Sequence, residues 1–199
     1  MKKYAMIFAA VWALLGASSS FASVVAYHAA LNGPNEAPPN ASPGTGFASV
    51  IYDSVAKTMR VIVDFSGLLG NVTAAHIHCC TATANVGTVS VATVTPSFTN
   101  FPSGVTSGVY DHTFDMTQIG SYRAGFITAN GGTVGLAEAA LFAGMAAEKS
   151  YFNIHTTEFP GGEIRGFLAV PEPGSLALLG VGLAGLGMIR RTKQAPSET

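Results

Sequence analysis
The chain has 199 residues, a formal net charge of −1, and only 11% charged residues against 48% apolar ones. Globular domains carry about 25% charge, so a long charged disordered chain is excluded. The near-zero net charge excludes a general nucleic-acid binder, which needs a cationic face.

Residues 1–22 carry Lys2 and Lys3, then an apolar run from Tyr4 to Gly16, then small residues ending at Ser20-Phe21-Ala22. A charged start, a short apolar centre and a small-residue end make a signal peptide for the Sec export machinery. The run falls short of the roughly 20 residues of a membrane span. The single tryptophan, Trp12, lies in this leader.

The mature domain is expected over 23–170, where nine acidic residues face five basic ones. The spacing predicts strands over Val24–Leu31, Phe47–Asp53, Met59–Phe65, Val72–His78, Val86–Val94, Gly108–Phe114, Tyr151–Thr156 and Glu163–Val170. Asn32–Gly46 is rich in Pro, Asn and Gly and reads as a loop. Met59, Val61, Val63 and Phe65 alternate with Arg60, Ile62 and Asp64, the period of a half-buried strand. Leu136–Lys149 is the one helix candidate, with Leu141 and Met145 a turn apart. Short strands between turn signals predict an all-β, antiparallel sandwich with one short helix.

Within these elements the histidines carry the chemistry. His76 and His78 flank Ile77 on a predicted strand, so both imidazoles share one face. In Tyr151-Phe152-Asn153-Ile154-His155 the odd-numbered residues share a face, which makes His155 the natural third ligand. Glu163 or His112 could complete a Zn or Cu site. Glu163 and Arg165 could instead pair with each other, and the histidines could equally form a hydrogen-bonded cluster that orders a sheet edge. Cys79 and Cys80 follow directly; they could form a vicinal disulfide, bridge to another chain, or ligate a soft metal. There is no Gly-x-Ser-x-Gly elbow, P-loop, dinucleotide fingerprint or His-Glu-x-x-His in the sequence, so no catalytic residues are assigned.

Residues 171–199 open on Pro171-Glu172-Pro173, run sixteen residues without charge from Gly174 to Ile189, and close on Arg190, Arg191 and Lys193. The uncharged run predicts a single membrane helix, its ends extended by snorkelling arginines. The segment resembles the PEP-CTERM sorting signal of Gram-negative bacteria. That resemblance implies transient anchoring in the inner membrane, recognition by an exosortase, removal of the tail and delivery to the cell surface or extracellular matrix.

Ala74-Ala75-His76-Ile77-His78, Tyr151–Thr156 and Pro160-Gly161-Gly162-Glu163-Ile164-Arg165-Gly166 together resemble the CHRD (chordin-type) domain over about residues 24–169. The resemblance implies an immunoglobulin-like β-sandwich and no defined activity. The Cys79-Cys80 pair stands where many members have glycines. The expectation is therefore a non-catalytic surface protein that binds exopolysaccharide or another surface protein. The alternative is an extracytoplasmic Zn or Cu protein, redox-active in the case of Cu, using His76, His78 and His155.

Overall fold
A computed structural model describes residues 24–171. The expected signal peptide, the membrane helix, Glu172 and Pro173 lie outside the described residues. Within them, no helix is long and apolar enough to cross a membrane.

Seven strands form one antiparallel ladder in the order β4-β6-β7-β1-β2-β3-β5. They are β1 (Val24–Asn32), β2 (Thr45–Asp53), β3 (Thr58–Ser66), β4 (Val72–Cys79), β5 (Gly108–Asp115), β6 (Ser150–Thr156) and β7 (Ile164–Phe167). The ladder is thin at one joint. Between β7 and β1 the strand register holds only Asn32 opposite Arg165, helped by an isolated bridge from His28 to Ala169. The sheet thus has two arms, β1-β2-β3-β5 and β4-β6-β7. The expected all-β antiparallel architecture stands.

The core lies between the arms. Tyr27, Leu31, Val50, Met59, Val61, Val63 and Phe65 are buried from the first arm, Ala75, Ile77, Phe152, Ile154 and Ile164 from the second. The alternation in β3 is the one the sequence predicts. Residues 80–107, between β4 and β5, supply the filling. Phe98 lies 5.2 Å from Phe114 and 5.7 Å from Phe152, while Phe101 lies 5.6 Å from Phe65 and 6.3 Å from Phe152. Burying such a ring contributes roughly 1.5–3 kcal/mol, so these two hold the arms together.

The strand expected at Val86–Val94 does not form. Its backbone makes scattered contacts along the free edge of β4 instead: Cys79 N donates to Ser90 O, and Ala92 N donates to Ile77 O. Further along, Phe98 N donates to Ala75 O and Gly104 N to Val72 O. The edge is covered by a strap rather than by an eighth strand, which removes the aggregation hazard of an open edge.

Two α-helices lie between β5 and β6. The first, α1 (Ala124–Ala129), lacks a clear sequence signal. The second, α2 (Val134–Ala146), starts two residues before the predicted helix because Thr133 caps it, accepting from Leu136 N at 3.3 Å. Leu141 and Met145 are fully buried beneath it, and Phe142 stacks on Tyr52.

The second arm is buried on both faces. β4 and β6 show almost no exposed position. The face turned away from the core carries the polar side chains, and loops roof it.

Candidate metal centre
Strand parity puts His76 and His78 on that outer face, as their spacing predicts. The register of β4 against β6 sets Ala74 opposite His155 and His76 opposite Asn153, which brings His155 diagonally across to the pair. One nitrogen from each of the three rings lies within 4.8 Å of the others. The ring centroids are 5.1–5.9 Å apart.

Backbone carbonyls fix which nitrogen is offered. His76 Nε2 donates to Pro96 O at 2.5 Å, His78 Nδ1 to Val89 O at 2.8 Å, and His155 Nδ1 to Pro160 O at 2.9 Å. A carbonyl only accepts, so each of these nitrogens carries the proton. The other three, His76 Nδ1, His78 Nε2 and His155 Nε2, are lone-pair acceptors, buried and without a hydrogen-bond partner. A buried unsatisfied polar atom costs about 1–3 kcal/mol, so three of them in one histidine cluster call for a physical reason.

Electrostatics keeps the rings neutral. Burial pushes the pKa of His76 and of His78 down to about 4, against the partly compensating carbonyl bonds; neighbouring imidazoles lower both, and Arg165 lowers His78 further. Burial also lowers His155. At neutral pH all three lone pairs are free of protons.

A second layer supports the rings. Tyr151 stacks on His78 at 4.7 Å, with its hydroxyl donating to Val89 O at 3.2 Å. The Arg165 guanidinium lies 4.8 Å over the Tyr151 ring and 3.7 Å from Glu36 Oε2. Burial pushes Glu36 up to about 7, although Arg165 pulls the other way. Glu36 Oε1 and Asn153 Oδ1 are also unpartnered, and a Cβ at Gly162 would meet both.

Glu163 is not part of this group. The β6–β7 ladder ends at Ile154 opposite Ile164, so Glu163 falls beyond it and escapes the parity of His155. Its fully buried carboxylate accepts from Ser42 Oγ at 2.6 Å, Leu69 N at 2.6 Å, Gly70 N at 3.1 Å and Thr156 Oγ1 at 2.7 Å. Burial would raise its pKa, but these four bonds outweigh that and hold it below its ordinary value. The carboxylate ties loops together, and Arg165 pairs with Glu36 rather than with it. His112 lies on β5 in the other arm, 4.6 Å from Phe114, and His28 bonds to Ser49 Oγ at 2.9 Å. Cys79 and Cys80 are joined to each other by a disulfide, outside the histidine group.

Parity had already placed Asn153 and Tyr151 on the His155 face. Glu36 and the three carbonyls carry no sequence signal, because loops bring them in.

No curated protein and no solved structure matches the chain. The family model for the PEP-CTERM protein-sorting motif matches residues 169–191. That motif indicates an exported protein of Gram-negative bacteria that transits anchored in the membrane and is processed by an exosortase. The model for the CHRD domain matches residues 27–168, which span the whole ladder, all three histidines and their supporting layer; the chain belongs to the CHRD family.

Proposed function
We propose that this protein is an exported metal-binding module, holding Zn(II) or a copper ion through His76, His78 and His155 in a mature domain of about residues 23–170. The observation that carries this reading is the cluster of three neighbouring rings, each held by a carbonyl at one nitrogen and bare and buried at the other. Such outer bonds orient metal-ligating histidines and raise their basicity. Three neutral imidazoles with no thiolate or carboxylate suit Zn or Cu. They also leave a coordination position open for water or a small ligand.

Metal binding to the full-length, chelator-stripped protein tests this. Zn(II) or Cu(II) is expected to bind one ion per chain. At ~100 times Kd it should stabilise the fold by about 2.7 kcal/mol. His78→Ala and His155→Ala should each abolish that gain. A wild-type protein that binds neither ion overturns the reading.

The setting is the cell surface or matrix, reached by exosortase processing. Binding of exopolysaccharide or a surface protein there is the second reading, supported by the sorting motif. Retention on isolated exopolysaccharide that survives chelation would favour it over the metal reading.

A further inference from the structure
The Cys79–Cys80 disulfide follows His78 directly, yet it belongs to a different site. A cleft of about 550 Å³ is bordered by both cysteines, Val89, Val91, Arg123 and Phe126. The disulfide also packs against α2, where a Cβ at Gly144 would run into both sulfurs. The cleft is the solvent-open space that both cysteines border. Cys79 is buried and Cys80 half-buried, so Cys80 is the more accessible residue of the pair, and its Sγ also lies 3.6 Å from Ala140 O of α2. No carboxylate borders the cleft, and the exposed Arg123 gives it a positive rim. A cleft with one sign of charge at its mouth concentrates reagents of the other sign.

We propose that Cys79–Cys80 is a thiol-exchange site that accepts two electrons from small anionic thiols entering this cleft. An incoming thiolate attacks Cys80 Sγ, the Cys79–Cys80 bond breaks, and Cys79 leaves as a thiolate that takes a proton from water. A second thiol molecule attacks the mixed disulfide. It releases Cys80 as a thiol, and the two reagent molecules depart as their own disulfide. Two thiols are oxidised and one protein disulfide is reduced. The cleft wall is shared with the histidine group, because Cys79 N donates to Ser90 O and His78 donates to Val89 O. The exchange itself requires no metal.

The test uses full-length, metal-free, folded protein. Reduction by anionic 2-mercaptoethanesulfonate is compared with reduction by cationic cysteamine at equal thiolate concentration. Released thiols are trapped with iodoacetamide and counted by mass spectrometry. Both cysteines should become alkylated without denaturant, with the anionic reagent about tenfold faster. Arg123→Glu should remove or invert that preference. Alkylation that appears only after denaturation overturns the proposal, and so do equal rates for the two reagents in the wild-type protein.

Discussion

Acidification of the metal-free protein should destabilise it through the histidine group, and Glu36 should partly oppose the loss. His76 and His78 titrate near 6.5 when unfolded but near 4 when folded. The unfolded chain therefore binds protons that the folded chain refuses. Stability is fully present above pH 6.5 and is lost as the pH falls toward 4. Between pH 7 and pH 5 each ring costs about 2 kcal/mol, and His155 adds in the same direction. Glu36 has the opposite sign. Its carboxyl titrates near 7 when folded and near 4.5 when unfolded, so the folded state gains the proton first and stability rises as the pH falls through that window. Discounted for solvent screening, Glu36 returns about 1–2 kcal/mol. The wild type should thus lose about 2 kcal/mol from pH 7 to pH 5, and Glu36→Gln, which cannot titrate, about 4 kcal/mol. Urea unfolding followed by far-UV circular dichroism at several pH values measures both slopes. A wild-type stability that is flat over this range, or equal slopes in the two proteins, would refute the reasoning.

Glu163→Gln replaces one carboxylate oxygen with an amide that faces donors. The new amide opposes one backbone N–H, of Leu69 or Gly70, and the other bonds lose their charge assistance, which should cost about 3–5 kcal/mol in urea unfolding at pH 7. Because the folded Glu163 pKa is held below its ordinary 4.5, the gap between wild type and variant should close as the pH drops below that value; a cost under about 1 kcal/mol at pH 7 would count against the clamp. Gly162→Ala places a side chain at φ +130° and pushes it against Asn153 and Glu36. It should lower stability by about 1–3 kcal/mol and weaken metal binding about tenfold, read from melting and metal titration on one preparation; an unchanged melting temperature would sink this reading of the turn.

What the sequence made legible was local. The faces of β3, β4 and β6 follow from parity, which each strand carries in itself. Hence parity alone places His76, His78 and His155 on their faces. Their convergence depends on the register that sets Ala74 opposite His155, and no single strand contains that information. Val86–Val94 has the β-branched composition of a strand, but composition does not supply a partner, and its polar backbone is used in single contacts to β4. The six residues of α1 are too few to show a period. Glu163 departs from the expected ligand set for a related reason. Extending the parity of β7 backward by one residue crosses the point where pairing stops at Ile164.

The segment Pro160–Gly166, one of the three strings behind the family resemblance, supports the candidate centre. Pro160 O sets the tautomer of His155. Gly162 leaves the space in which Asn153 and Glu36 approach one another. Glu163 fixes Thr156, the neighbour of His155, to the loops at Ser42 and Leu69–Gly70. Arg165 compensates Glu36 and covers Tyr151, which in turn stacks on His78. Gly166 permits close approach of the β1 backbone at Ala30 O, where a side chain would collide. These contacts bear on how the rings are held, and the candidate ligands come from the strings around His76 and His155. In this architecture, replacing a histidine should leave the fold and remove the ion, whereas replacing a residue of Pro160–Gly166 should disturb both together.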